Sequence, residues 1–194
     1  MIADAAAELG RWSGIAFVDA RPTEDLPPRP WPVLHGYADL LALRDDFRDA
    51  AVGIGDNRRR MAVIDELRAA ENTFDLPEIV HPCACVSLRA DIGPGSVILG
   101  NAVVNAAATI GRGCIINTAA TIDHDCQLAD GVHVSPGAHL AGGVWVDELA
   151  WIGIGSCVIE GVRIGQGAVV AAGAVVIEDV PAGETVVGAP ARPK

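Results

Sequence analysis

In the stretch INTAATIDHDCQLADGVHVSPGAHLAGGV, residues Ile116 to Val144, an aliphatic side chain returns at every sixth position: Ile116, Ile122, Leu128, Val134, Leu140. Followed outward, the same step holds from Val80 to Val176, seventeen Val, Ile or Leu residues without a slip. Four residues after each stands a small or short side chain, among them Ala102, Ala108, Cys114, Ala120, Cys126 and Ala138. A period of six is neither the 3.6 of a helix nor the 2 of a single strand. It is the repeat of a parallel β-helix, where each hexapeptide forms one flat side and three sides close a triangular coil. At eighteen residues per coil, the 97 residues from Val80 to Val176 make a little over five coils. The aliphatic and small positions point inward, so Cys114 and Cys126 are core residues.

The same register orients the histidines. Three of the five, His124, His133 and His139, fall within sixteen residues. Counting each aliphatic residue as position one, His124 is at position three, and His133 and His139 are at position six. None is inward, so all three are expected on or near the outer surface. Half a circuit separates His124 from His133, and Thr121 stacks under His139. One chain therefore cannot bring the three to a shared metal. His139 reads as solvated surface or a subunit contact. His124 differs, because Asp123 and Asp125 flank it and Gly142 and Gly143 lie one coil above. The glycine pair leaves a backbone-lined slot beside the imidazole, and a carboxylate that holds the ring raises its basicity, as a general base requires.

Residues 1–78 follow different rules. IADAAAELG is an Ala-rich helix with Gly10 as its stop. GIAFVDA is a short strand, and a Pro-rich connection leads to a second helix, YADLLALRDDFRD. AAVGIGDN is a strand running into a turn, and RRRMAVIDELRAAE is a helix capped by Asp56 or Asn57. Alternation of this kind predicts a small parallel α/β sheet, a Rossmann-like domain. Such a domain ordinarily opens on a strand and a Gly-rich turn. This sequence opens inside the first helix, and the expectation is a start upstream of Met1.

Composition narrows the function. The chain is 51% hydrophobic but only 4% aromatic, with 22 Gly and 12 Pro, which suits a stacked interior of small and β-branched residues. A formal charge of −11 argues against nucleic acid or an anionic membrane as partner. Five cysteines, an odd number without paired spacing, and the lack of a signal peptide fit a reduced, cytoplasmic protein. No apolar run is long enough to span a bilayer. Cys83 and Cys85 are too few to hold zinc. Trp145 and Trp151 sit at outward position six, where an indole is expected at a subunit interface. Arg163, Arg192 and Lys194 are candidate partners for an anionic cofactor.

Three segments carry a family resemblance: INTAATIDHDCQLADGVHVSPGAHLAGGV, WIGIGSCVIEGVRIG and the tail VVGAPARPK, together with the N-terminal IAFVD and VGIGDNRRR. The chain resembles the NeuD/PglD-type sugar O-/N-acyltransferases, which include bacillosamine and perosamine N-acetyltransferases and sialic-acid O-acetyltransferases. The resemblance implies a Rossmann-like domain (1–78) for a nucleotide-linked amino sugar, a left-handed β-helix (79–194) for acetyl-CoA, and a homotrimer. It implies His124 as the catalytic base and Asp125 as its carboxylate partner, where bacillosamine-type relatives carry Glu. His133, Ile154 and Ala172 correspond to acetyl-CoA contacts, with Arg192 a candidate for its phosphates. Asp19, Gly55, Asp56 and Asn57 correspond to sugar-nucleotide contacts, although Asp56 or Asn57 would cap a helix in any case. The reaction expected is acetyl transfer to a sugar amine, without metal, the oxyanion held by backbone N–H groups of Gly142 or Gly143. Acetylation of a sugar hydroxyl, a non-catalytic scaffold and a metal-binding trimer are the alternatives.

Overall fold

The computed structural model describes residues 1–19, 30–35, 43, 46–69 and 74–194. From Ile79 onward the chain winds as a three-sided left-handed solenoid. Each side is a stack of parallel short strands, and up to Cys157–Val158 every strand pairs with the one eighteen residues on, as Thr121 does with His139 and His133 with Trp151. The first face runs through Ile79–Val80, Val97–Ile98, Ile115–Ile116, His133–Val134, Trp151–Ile152 and Val169–Val170 to Thr185–Val187. The second runs from Cys85–Val86 through Thr121–Ile122 and His139–Leu140 to Val175–Val176, and the third from Asp91–Ile92 to Arg163–Ile164.

The predicted inward columns form the core. Ile98, Ile116, Ile122, Val134, Ile152 and Val170 are 0% exposed, as are Ala102, Cys114, Ala120, Cys126 and Ala138. Burial pushes the Cys114 thiol up to about 12, so it is an inert core group. The lowest coil is looser, with Val80, Val86 and Ile92 only partly buried. At the other end the last coil shortens, Val169 pairing with Thr185. The tail then folds back as an antiparallel pair, Val186 opposite Pro193, burying Val186 and Ala191 over the end of the core.

The N-terminal part flanks this prism. Helix α1 (Ile2–Leu9) ends at Gly10 as predicted, with Gly10 in the left-handed region at φ 63°. Its Ala5 and Ala6 lie on the outward side of the first face, against Ile79, Val97 and Ile115. Strand β1 (Phe17–Asp19) pairs in parallel with β2 (Val33–His35), a strand not anticipated from the sequence. The helix expected over 37–49 falls mostly outside the described residues. The strand expected over 50–57 is reduced to a single parallel bridge between Asp49 and Asp75. The carbonyls of Ile54 and Gly55, which a sheet neighbour would have used, are taken by Arg60 instead.

Helix α2 (Asn57–Ala69) buries Asn57, Arg60, Met61, Ile64 and Leu67, one face at helical spacing. That face lies on the edge between the third and first faces. Met61 and Ile64 fill the space beside Gly113, and Met61 that beside Gly131. Leu149 of the solenoid joins the cluster of Val52, Met61, Ile64, Leu67, Phe74 and Leu76. Among the described residues no helix is long and apolar enough to cross a membrane.

Candidate active site

The turn after strand Thr121–Ile122 carries DHD on the edge between the second and third faces. His124 and Asp125 project from it, with 63% and 67% of their side-chain surfaces exposed. The imidazole Nδ1 lies 2.7 Å from Asp125 Oδ2, so the N–H it donates is held by the carboxylate and Nε2 keeps its lone pair. Asp123 faces the other way. Its Oδ1 accepts the His124 amide at 2.7 Å and the Asn105 side-chain amide at 2.9 Å, and these two bonds hold its carboxyl below the usual range. The hydrogen bond that His124 donates to Asp125, followed by the charge of Asp123, raises the pKa of His124.

Two backbone features make room for this pair. Asp125 occupies position four of its hexapeptide, at φ 60°, where Gly113, Gly131, Gly137 and Gly143 sit in neighbouring repeats. A non-glycine residue there carries strain of about 1 kcal/mol, least for Asp and Asn. One coil above, a Cβ added to Gly142 would lie 2.6 Å from Cε1 and 2.7 Å from Nε2 of His124. Glycine at 142 is what lets the ring lie across the ledge. The two glycines differ in one respect. The Gly143 N–H donates to the His124 carbonyl at 2.9 Å and is unavailable to an oxyanion, whereas the Gly142 N–H has no acceptor among the described residues.

His133 departs from expectation. It points outward from the first face but is only 8% exposed, with the Gly55 backbone and the Arg60 guanidinium of α2 near enough to act on its ring. Its ring stacks on Trp151, centroids 5.4 Å apart and planes 10° from parallel. Nε2 lies 3.3 Å from the Asn117 amide nitrogen, a donor, so Nδ1 carries the proton; buried, it has no partner in good hydrogen-bond geometry among the described residues, although the Gly55 backbone lies near enough to act on the ring. Burial, and then the charge of Arg60, lower the pKa of His133 to about 4. Trp151 also donates to Ser135 Oγ at 2.8 Å, so its expected role at a subunit interface is in part taken inside the chain.

Residues 1–67 match the PglD N-terminal domain family. The acetyltransferase domain of PglB from Neisseria gonorrhoeae, solved with acetyl coenzyme A, superposes with a TM-score of 0.90 and 40% identity over 100% of this chain and 92% of that one. PerB from Caulobacter crescentus, solved with CoA and GDP-perosamine, gives 0.93 and 36% over 100% and 90%. The chain belongs to the PglD-type sugar acetyltransferases. WeeI from Acinetobacter baumannii aligns at 0.84 and 29%, over 92% of this chain and 85% of that one. The perosamine N-acetyltransferase has also been crystallised with one histidine replaced by asparagine, carrying CoA and GDP-perosamine. No curated protein sequence matched.

Within this acetyltransferase, the remaining predicted positions divide. Ile154, 61% exposed, and Ala172 stand one above the other on the edge between the first and second faces, a different edge from His124. Asp19 closes β1. Asp56 Oδ1 accepts the Arg59 amide at 2.8 Å and is the cap of α2. Asn57 is not free to contact a ligand: it is 6% exposed, its Nδ2 donates to the Leu149 and Ala150 carbonyls, and its Oδ1 accepts from Arg60. Arg163 is engaged by both oxygens of Asp147 at 3.0 Å, so its charge is offset. Arg192 donates to the Ala191 carbonyl and lies 3.7 Å from Glu178. Thr121 Oγ1 meets His139 Nδ1 at 2.9 Å, as the stacking register required. Among the described residues no group of three or more His, Cys, Asp or Glu converges on a metal position. Nothing in the sequence marks Arg60, since a single arginine in RRR carries no signal of burial.

Proposed function

We propose that the protein transfers the acetyl group of acetyl-CoA to the amino group of a nucleotide-linked amino sugar. The observation that carries this is the His124–Asp125 pair, 2.7 Å apart, under a ledge that only glycine at 142 leaves open. Nε2 of His124 takes a proton from the sugar amine as the nitrogen attacks the thioester carbonyl. The Gly142 N–H, which has no acceptor among the described residues, is the donor for the oxyanion in this reading. The carbon–sulfur bond then breaks, and the coenzyme A thiolate leaves with the proton returned from the imidazolium. Relatives crystallised with CoA and GDP-perosamine favour an amine over a hydroxyl acceptor.

A homotrimer supports the same chemistry. His124 stands on one edge, and Ile154 and Ala172, the proposed cofactor-lining positions, on another, one side of six residues away. Six extended residues span at most about 20 Å. A second copy of the chain, placing its edge beside the first, supplies both to one thioester. All five cysteines are free, which fits a reducing, cytoplasmic setting. Free-thiol release from acetyl-CoA, screened against UDP- and GDP-linked amino sugars, tests the activity. Thiol release with none of them, from protein that binds coenzyme A, rules the reading out.

A further inference from the structure

Arg60 is 1% exposed, and every one of its five N–H groups is used. Nε donates to the Gly113 carbonyl at 2.7 Å. One terminal nitrogen donates to Ile54 and Gly55 at 3.0 and 3.1 Å. The other donates to the Asn57 side chain at 2.8 Å and to the Gly131 carbonyl at 2.9 Å. No carboxylate forms an ion pair with it among the described residues, and burial lowers its pKa. An unpaired buried cation is a poor device for adhesion, since a well-packed apolar residue does the same at less cost. What the planar fork does that an apolar side chain cannot is fix four backbone carbonyls from three separate segments in one geometry.

Those segments are the loop entering α2 and two successive coils of the solenoid. Asn57, three residues before Arg60 on the same helix face, takes the Leu149 carbonyl of the next coil. Position-four carbonyls of three stacked coils are thus satisfied by one helix, and the 54–57 loop is tied to the same fork. That loop brings the Gly55 backbone close to His133 and carries Asp56. We propose that Arg60 is a positioning residue that sets the 54–57 loop against the solenoid and thereby sets affinity for the nucleotide portion of the acceptor. The inference rests on the acetyltransferase reading and on the correspondence of Gly55 in this loop to a sugar-nucleotide contact of the family.

Arg60→Met and Arg60→Lys, made in the full chain, test it. In Arg60→Met, amide hydrogen exchange at 54–57 is expected to quicken at least tenfold, while amides of the second solenoid face stay unchanged. Titration with GDP and with UDP is expected to show at least tenfold weaker binding of whichever nucleotide the parent binds, with coenzyme A affinity within twofold. Arg60→Lys keeps the charge and loses the fork, so it gives the same pattern, and it carries the measurement if Arg60→Met does not fold. Unchanged exchange at 54–57, equal losses for nucleotide and coenzyme A, or a parent that binds neither nucleotide overturns the proposal. Failure of the acetylation reading is distinguishable, because it shows as absent thiol release in the parent with nucleotide binding intact.

Discussion

At the scale of single residues, the site is two departures from the solenoid's own rules. Position four of the repeat favours glycine, and Asp125 takes it at φ 60° in order to hold Nδ1 of His124. Asp125→Gly therefore keeps the backbone comfortable and removes only the carboxylate, a cleaner control than alanine. The hydrogen bond to Asp125 is the larger cause of the raised His124 pKa. The base works only when neutral, so kcat/KM is lost as pH falls through that pKa. Asp125→Asn is expected to move this acid limb to lower pH while lowering the plateau, measured by thiol release across pH 5–9. His124→Ala removes the base and is expected to lower turnover by about 10² to 10⁴ with coenzyme A binding retained. Gly142→Ala tests the ledge from the other side: its methyl would meet the ring at 2.6 Å, and turnover is expected to fall although His124 is intact.

At the scale of elements, the decisive contact is α2 on the solenoid edge. Leu149 sits at φ 61°, a conformation poorly suited to a leucine. It is held there because its side chain packs into the α2 cluster and its carbonyl receives Asn57. Asn57→Ala leaves the covered Leu149 carbonyl without a donor and takes from the Ala150 carbonyl one of its two, the His133 amide remaining. An unsatisfied buried group costs about 1–3 kcal/mol, and each kcal/mol is worth roughly 2–4 °C at this chain length. A thermal melt several degrees below the parent is expected, and an unchanged Tm would show that water reaches these carbonyls.

At the scale of the whole molecule, His133 couples assembly of the two parts to pH. Its folded pKa, about 4, lies below the unfolded value of about 6.5. Above the unfolded value both states are neutral. As pH falls from there the unfolded chain takes a proton that the buried ring refuses, so stability is lost between about 6.5 and 4. The full effect is on the order of 3 kcal/mol. Denaturant melts at pH 7 and pH 4.5 are expected to converge in a His133→Gln variant and to diverge in the parent. The proposed shared site has its own test. Mixed trimers of His124→Ala with Ile154→Asp are expected to regain thiol release that neither variant shows alone, since one interface then holds both intact edges.

The six-residue step determined the solenoid, its inward columns and the outward direction of His124, because a repeat leaves each residue one orientation relative to the coil axis. The glycine pair above His124 was legible for the same reason: residues eighteen apart stack. The end of α1 at Gly10 was legible from local chemistry. What the repeat could not show is what lies on the outside of the prism. The loss of Gly143 as an oxyanion donor follows the repeat itself, since position-four N–H groups such as those of Asp125, Gly131 and Gly137 also donate to the carbonyl nineteen residues back. The burial of His133, the commitment of Asn57 and the saturation of Arg60 depend instead on contacts across long separations. No periodic rule reaches them. Only the docking of α1 on the first face and of α2 on one edge decided which outward side chains remain open to a ligand.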